Sequence, residues 1–244
     1  MIKTRYLLIV ILLFCGGSMF AQSVPKWGGG ADQNDWSFGF SFTYVSSYYK
    51  IDKMPNWRKP YIDKEGVKVT DSLNSLGSPS SQGFAVGFLY RYTLTDHIEV
   101  RTTPSLVFAD RIASYTYQDP SLNTTKTVQS TSVDLPLGVK IKSDRIGDFR
   151  AYMLGGIKYT QAIGTKTNAD AALAPIDKLL KNVSGFGSYD VGLGCDIYFE
   201  FFKLSPEIKL SNSFGNVLLH EDHPYSAPIN KLSLHTLMFS LYFE

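Results

Sequence analysis

Cysteine is almost missing from this chain. Only Cys15 and Cys195 occur in 244 residues, and Cys15 lies in a segment that reads as cleavable. One remaining thiol excludes an internal disulfide, and a chain of this length needs none to build a core. Long apolar runs are also missing after the first twenty residues. None approaches the ~20 residues that a spanning helix needs, which excludes a helical inner-membrane protein. An excess of one charge is missing too: 24 Lys and Arg stand against 22 Asp and Glu. A nucleic-acid binder would gather a basic excess on one face, and nothing here suggests one. No GxSxG, HExxH or P-loop pattern appears. The expectation is a non-enzyme with no cofactor, no metal and no small-molecule substrate.

The first residues read as an export signal. Lys3 and Arg5 are the basic start, Tyr6 to Phe14 are apolar, and Gly16, Gly17 and Ser18 are small. Ala21 offers a cut before Gln22, although Met19 is bulkier than a signal peptidase prefers. Phe14 precedes Cys15, which disfavours lipidation there, because a lipidated cysteine normally follows a small residue. Cleavage of residues 1–21 removes two bases and no acid, leaving 22 of each sign. The polar, glycine-rich residues 22–35 read as a periplasmic lead-in, and residues 36–244 as the folded domain.

Aromatic side chains are plentiful, and their spacing carries the fold. Trp36, Phe38, Phe40, Phe42 and Tyr44 alternate with Ser37, Gly39, Ser41 and Thr43. Successive strand residues face opposite sides, so one face is wholly aromatic and the other small and uncharged. A soluble sandwich strand usually turns Val, Ile and Leu inward and charges outward. Aromatics toward lipid and small residues inside suit a membrane barrel. The alternation returns in 83–94, 97–109, 128–142, 149–162, 186–199, 202–211 and 237–243. That predicts eight strands in an antiparallel up-and-down transmembrane β-barrel of the outer membrane. Short joins fall at Thr95-Asp96, Ser143 to Asp148 and Glu200-Phe201. Long polar segments fall near 48–81, 111–127, 163–184 and 212–231. Short periplasmic turns and long external loops are the outer-membrane arrangement, with both termini in the periplasm. Residues 169–182 could form a short surface helix divided by Pro175.

The same parity puts charges inside. The inferred inner face carries Arg91, Glu99, Arg101, Asp134, Lys140, Arg150, Lys158, Asp190, Asp196, Lys203, Glu207 and Lys209. Eight strands leave a lumen that side chains can fill. These charges therefore read as a salt-bridged structural plug, with a gated polar path as the alternative. His220-Glu221-Asp222-His223 has metal-ligand residue types, but it falls in a predicted external loop and reads as solvated. Cys195 falls on the lipid face, as a small apolar residue. Pro104, Pro136 and Pro206 lie inside strand patterns and predict bulges or kinks.

Four blocks carry a resemblance. They are Arg101-Thr102-Thr103-Pro104-Ser105 to Asp110-Arg111; Ser130 to Leu135-Pro136-Leu137 and Lys140 to Ser143; Arg150-Ala151-Tyr152 with Gly155-Gly156 and Tyr159; and Gly192 to Tyr198 followed by Phe202 to Ser211, including Ser205-Pro206-Glu207. Over about 82–215 the chain resembles the PorT/SprT family, barrel proteins of the Bacteroidetes type IX secretion and gliding system. That likeness implies a role in assisting cargo secretion across the outer membrane, with other secretion-system proteins and membrane lipid as partners. It implies structural or partner-facing roles for the block residues. One departure is the end, Phe243-Glu244, where insertion machinery often reads a terminal aromatic. The other readings are a small porin or passive channel, and a structural or adhesive barrel acting through external loops.

Overall fold

Alternation this strict lets a sheet put lipid on one face and packed polar groups on the other, provided that no strand edge is left open to hydrocarbon. The computed structural model describes residue 32 and residues 34–128, 131–163 and 174–244. The expected leader and most of the lead-in lie outside the described residues, as does 169–173 of the expected surface helix.

Among the described residues there are twelve strands: β1 (Trp36–Lys53), β2 (Leu73–Gly77), β3 (Ser81–Thr95), β4 (Ile98–Thr102), β5 (Ser105–Ala109), β6 (Arg111–Tyr117), β7 (Thr124–Val128), β8 (Thr131–Lys142), β9 (Phe149–Ile163), β10 (Gly185–Tyr198), β11 (Lys203–Ser213) and β12 (Ile229–Phe243). β4 and β5 are two halves of one stave. β1, β3, β4–β5, β8, β9, β10, β11 and β12 each pair with the next, and β1 pairs with β12, so eight antiparallel staves close into a ring. Closure satisfies the wall's backbone donors and acceptors without help from water. Among the described residues no helix is long and apolar enough to cross a membrane; the crossing is made by strands.

The outward face is the hydrocarbon surface. Phe38, Phe88 and Leu193 are 73%, 76% and 63% exposed. Each such side chain gains roughly 1.5–3 kcal/mol by leaving water. Phe40 and Phe243 stack at 5.0 Å across the closing pair β1–β12.

The three prolines correct one expectation. Pro104 splits a stave into β4 and β5, yet β3 and β8 hold the same register on both sides of it. Pro136 and Pro206 also leave the register of their staves unshifted. The cost is lost ladder hydrogen bonds, with no bulge. Two of the proline carbonyls still find donors: Phe88 N–H donates to that of Pro104 at 3.0 Å and the Thr102 hydroxyl to that of Pro136 at 2.6 Å.

The external segments are also more ordered than polar loops. β1 runs to Lys53 and β12 begins at Ile229, both well beyond the aromatic stretch. Past exposed Asp110 the split stave continues as β6, which leaves the wall and pairs with β2 and β7 in a separate three-stranded sheet. A single 3-10 turn, Pro120–Leu122, closes the β6–β7 hairpin. The expected helix is not formed over 174–182, which holds a turn and an isolated bridge from Asn182 to Leu218.

Candidate functional site

Four levels of side chains fill the lumen, three of them charged and the outermost apolar. At the periplasmic end, Glu99 lies 3.2 Å from Lys140, 3.0 Å from Lys142 and 3.7 Å from Arg91. Asp196 takes Lys140 at 2.9 Å and the Ser205 hydroxyl at 2.6 Å. Glu244, the last residue, turns inward and meets Arg91 at 2.5 Å and Lys203 at 2.9 Å. Its backbone exchanges hydrogen bonds with Lys203 at 2.8 and 3.0 Å. Gly39 is required beside it, because a Cβ there would lie 2.1 Å from the Phe243 carbonyl oxygen. The terminal Phe-Glu pair thus splits its duties: Phe243 stacks outside while Glu244 locks the inside.

At mid-height, Glu207 is the hub. Arg101 donates to it, as do the hydroxyls of Tyr152 at 3.0 Å and Tyr242 at 3.2 Å, with Lys209 at 3.7 Å. Gly194 makes this possible, since a Cβ there would lie 2.5 Å from the Tyr152 ring. Higher still, Asp134 holds Lys158 at 3.1 Å and the Thr160 hydroxyl at 2.8 Å, and Asp190 lies 4.0 Å from Lys158. A water-sized gap of about 20 Å³ opens around Ser47, Asp134, Lys158, Ser188 and Thr236. Buried, unpartnered hydroxyls of Ser47 and Ser188 line it, as expected of a site for ordered water.

Above that space the lumen becomes apolar. Tyr49, Leu73, Leu76, Tyr115, Tyr117, Val217, Tyr225 and Leu232 form one buried cluster that the external strands and loops fold over the barrel. Tyr115 donates to the Tyr225 carbonyl at 2.7 Å, and their rings meet edge to face at 5.2 Å. Burial pushes the Tyr115 hydroxyl well above its ordinary range, and the neighbouring tyrosines add to this.

Of the twelve charges read as inward, the structure places eleven inside the lumen in buried positions, and Arg150, half-buried, at the periplasmic lip. The block residues are dispersed. Pro104 sits at the stave split, Asp110 and Arg111 where the stave leaves the wall, and Pro136 on the inner face. Gly155 faces open space outside the wall, and at Gly156 a Cβ would lie 2.5 Å from the Leu137 carbonyl oxygen. Ser205 and Glu207 face inward, either side of Pro206. Several members escaped the sequence reading. Lys142, Tyr152, Tyr198 and Tyr242 share the inward parity and were findable by it. Asp32 had no local signal: it reaches into the periplasmic mouth from the segment before β1.

The histidine run does not converge on a metal site. His220 is exposed and contacts the Asn230 carbonyl, Asp222 bonds Tyr61 and Lys64, and His223 is 3.8 Å from Glu221. Among the described residues, no three His, Cys, Asp or Glu gather as ligands. His223 corrects the expectation of a solvated loop, because it is wholly buried in the external cap. Burial holds its imidazole down at about 4, against a weaker upward pull from Glu221. Asp32 shows the opposite balance. Burial pushes its carboxyl up, but Lys203, the Tyr198 hydroxyl and Arg91 together hold it at about 2.

Residues 20–219 match a protein family described as the outer membrane protein beta-barrel domain. No curated protein matches the chain. Among solved structures, the outer membrane protein OprG from Pseudomonas aeruginosa is 14% identical, with 85% of this chain and 93% of that one covered and a TM-score of 0.44. Neisserial surface protein A is 9% identical, covering 86% and 98% at a TM-score of 0.41. The attachment invasion locus protein Ail of Yersinia pestis, bound to a heparin analogue, is 13% identical, covering 86% and 99% at 0.36. At these distances the neighbours carry no role across.

Proposed function

The chain belongs to the outer membrane protein β-barrel domain family, and from that premise we propose that it is a non-enzymatic, non-conducting barrel that works by protein contacts at its rims. The observation that supports this is the doubly closed lumen. Arg91, Glu99, Lys140, Asp196 and Lys203 are each fully buried at the periplasmic end, and an aromatic cluster covers the external end. A passive channel would need a continuous water path, and an eight-stave lumen filled this way leaves only water-sized gaps. Function then moves to the rims.

Within that reading, the specific role is assistance to type IX protein secretion, as the likeness of the blocks at 101–111 and 192–211 to the PorT/SprT family implies. Partners would be other secretion-system proteins. Deleting the gene should block export of particular cargo proteins while general permeability to bulky antibiotics stays normal. Normal cargo export in the deletion strain would sink the secretion role and leave the barrel reading intact. In planar bilayers the purified protein should give no stable conductance.

A structural or adhesive role is the second reading. It is favoured by the folded external cap, whose three-stranded sheet and buried core are more than loops need to join staves. Replacing residues 54–72 and 214–228 with short turns separates the two readings. Export that survives the replacement, with surface attachment lost, favours adhesion.

A further inference from the structure

The periplasmic mouth holds a carboxylate that does not belong to the barrel. Asp32 stands on the lead-in, before the first stave, and its side chain is received by four groups of the wall. Oδ1 lies 3.1 Å from Arg91 Nη2 and 3.4 Å from Lys203 Nζ. Oδ2 accepts a hydrogen bond from the Tyr198 hydroxyl and lies 3.8 Å from Arg150 Nη1. We propose that this mouth is a carboxylate receptor, occupied at rest by Asp32, and that an acidic segment of a periplasmic protein displaces Asp32 and takes its place.

The receptor is built without Asp32. The side chains of Arg91 and Lys203 are fully buried and held by Glu244. Arg145 covers the Tyr198 ring at 3.8 Å, which fixes the hydroxyl in place. These groups are therefore oriented by the wall and are not gathered by the ligand, which limits the ordering cost of binding. Charge also asks for an outside acid. The wall brings Arg91, Lys140, Lys142, Arg150 and Lys203 to this end, against its own Glu99, Asp196 and Glu244. Asp32 adds a carboxylate to this basic cluster from outside the wall, so the mouth already receives an acid that the staves do not supply.

Access is graded in the right sense. The Asp32 side chain is 29% exposed and that of Arg150 12%, while Arg91 and Lys203 are sealed behind them. An incoming acid meets Arg150 first. The chemistry selects a planar carboxylate with two separately recognised oxygens, and the partner is accordingly an Asp- or Glu-rich peptide.

The inference rests on the rim reading above, but the two fail separately: purified protein that ignores the peptide leaves the export phenotype standing. The test uses the mature full chain refolded in detergent micelles and a fluorescein-labelled peptide of six glutamates, read by anisotropy. Asp32→Asn removes the resident competitor and should tighten binding about tenfold, since the apparent constant scales with the fraction of open sites. Adding Tyr198→Phe and Arg150→Gln to that variant should abolish the gain, while unchanged heat-dependent gel migration certifies the fold. A six-glutamine peptide should not bind. Equal binding by wild type and Asp32→Asn overturns the proposal. So does a gain that survives loss of both Tyr198 and Arg150, or displacement of the peptide by an equal concentration of inorganic phosphate.

Discussion

The two ends of this lumen are closed by opposite means. The periplasmic half is closed by paired charges fixed to the staves themselves, such as Glu99 among Arg91, Lys140 and Lys142. The external half is closed by Leu76, Tyr115, Val217 and Tyr225, which arrive on strands and loops outside the ring. A buried ion pair is geometrically exacting and strongly penalised when one partner is lost. An apolar cluster tolerates repacking and loses stability in proportion to volume removed. The first closure should therefore fail all at once and with the barrel. The second should fail locally.

The largest effect should come from breaking the charged half. Glu207→Leu leaves Arg101 and Lys209 buried without their acid, a loss of roughly 3–5 kcal/mol. Urea unfolding in lipid, read by heat-dependent gel migration, should show the whole barrel destabilised. Arg101→Leu added to Glu207→Leu should recover much of it. A midpoint unmoved by Glu207→Leu alone would mean that the pairs are not what holds this end. Breaking the apolar half is smaller and confined. Leu76, 3% exposed on β2, should lose about 3 kcal/mol on Leu76→Ala. The external loops should then be cut faster by added protease while gel migration of the barrel is unchanged. Coupled loss of both would erase the distinction between the halves.

The difference between the halves also decides what the sequence could reveal. The wall was legible because lipid outside and packing inside force a strict period of two, so Trp36 to Tyr44 announces a stave and Glu99, Arg101, Lys203, Glu207 and Lys209 fall on one side of theirs. Lys142, Tyr152, Tyr198 and Tyr242 were legible by the same rule; a tyrosine draws the eye to the lipid face, and only parity returns it to the lumen. The cap was harder. Ala113, Tyr115 and Tyr117 do alternate with Ile112, Ser114 and Thr116, but the outward residues there meet water, and the contrast with a polar loop fades. Extension of β1 past Tyr48 is hidden likewise, because Lys50 and Asp52 replace the aromatics. Asp32 was not legible at all. Its place depends on charges brought together from β3, β9, β10 and β11, and no local pattern encodes that.

Acid should separate the two halves without any mutation. His223 is depressed to about 4 in the folded cap, below the ~6.5 of an unfolded histidine. The unfolded cap binds the proton more readily, so the stability that His223 contributes is complete above about 6.5 and is lost as pH falls toward 4. The scale is on the order of 2 kcal/mol, and it acts on the cap alone. Protease cutting of the external loops should therefore rise between pH 7 and pH 4.5, and His223→Gln should flatten that rise.

The smallest effect belongs to the latch at the other end, and it sharpens the comparison because acid weakens it too, but only in a lower pH window. Asp32 is held at about 2, below the ~3.9 of a free aspartate. A depressed carboxyl contributes stability above its unfolded value and loses it only as pH falls through the folded value. The mouth should thus stay shut over the whole interval in which the cap loosens. Salt is the better lever, since the Asp32 side chain is partly exposed and such pairs are screened. Asp32→Asn should lower global stability by less than about 1 kcal/mol, too little to move the unfolding midpoint much. Hydrogen exchange at the turn residues 143–148 and 199–202 should report it instead. Exchange there should quicken in 0.5 M salt and in Asp32→Asn, and should not change between pH 7 and 4.5 once the intrinsic rate is corrected. Quickening with acid would place a titrating group other than Asp32 in control of the mouth.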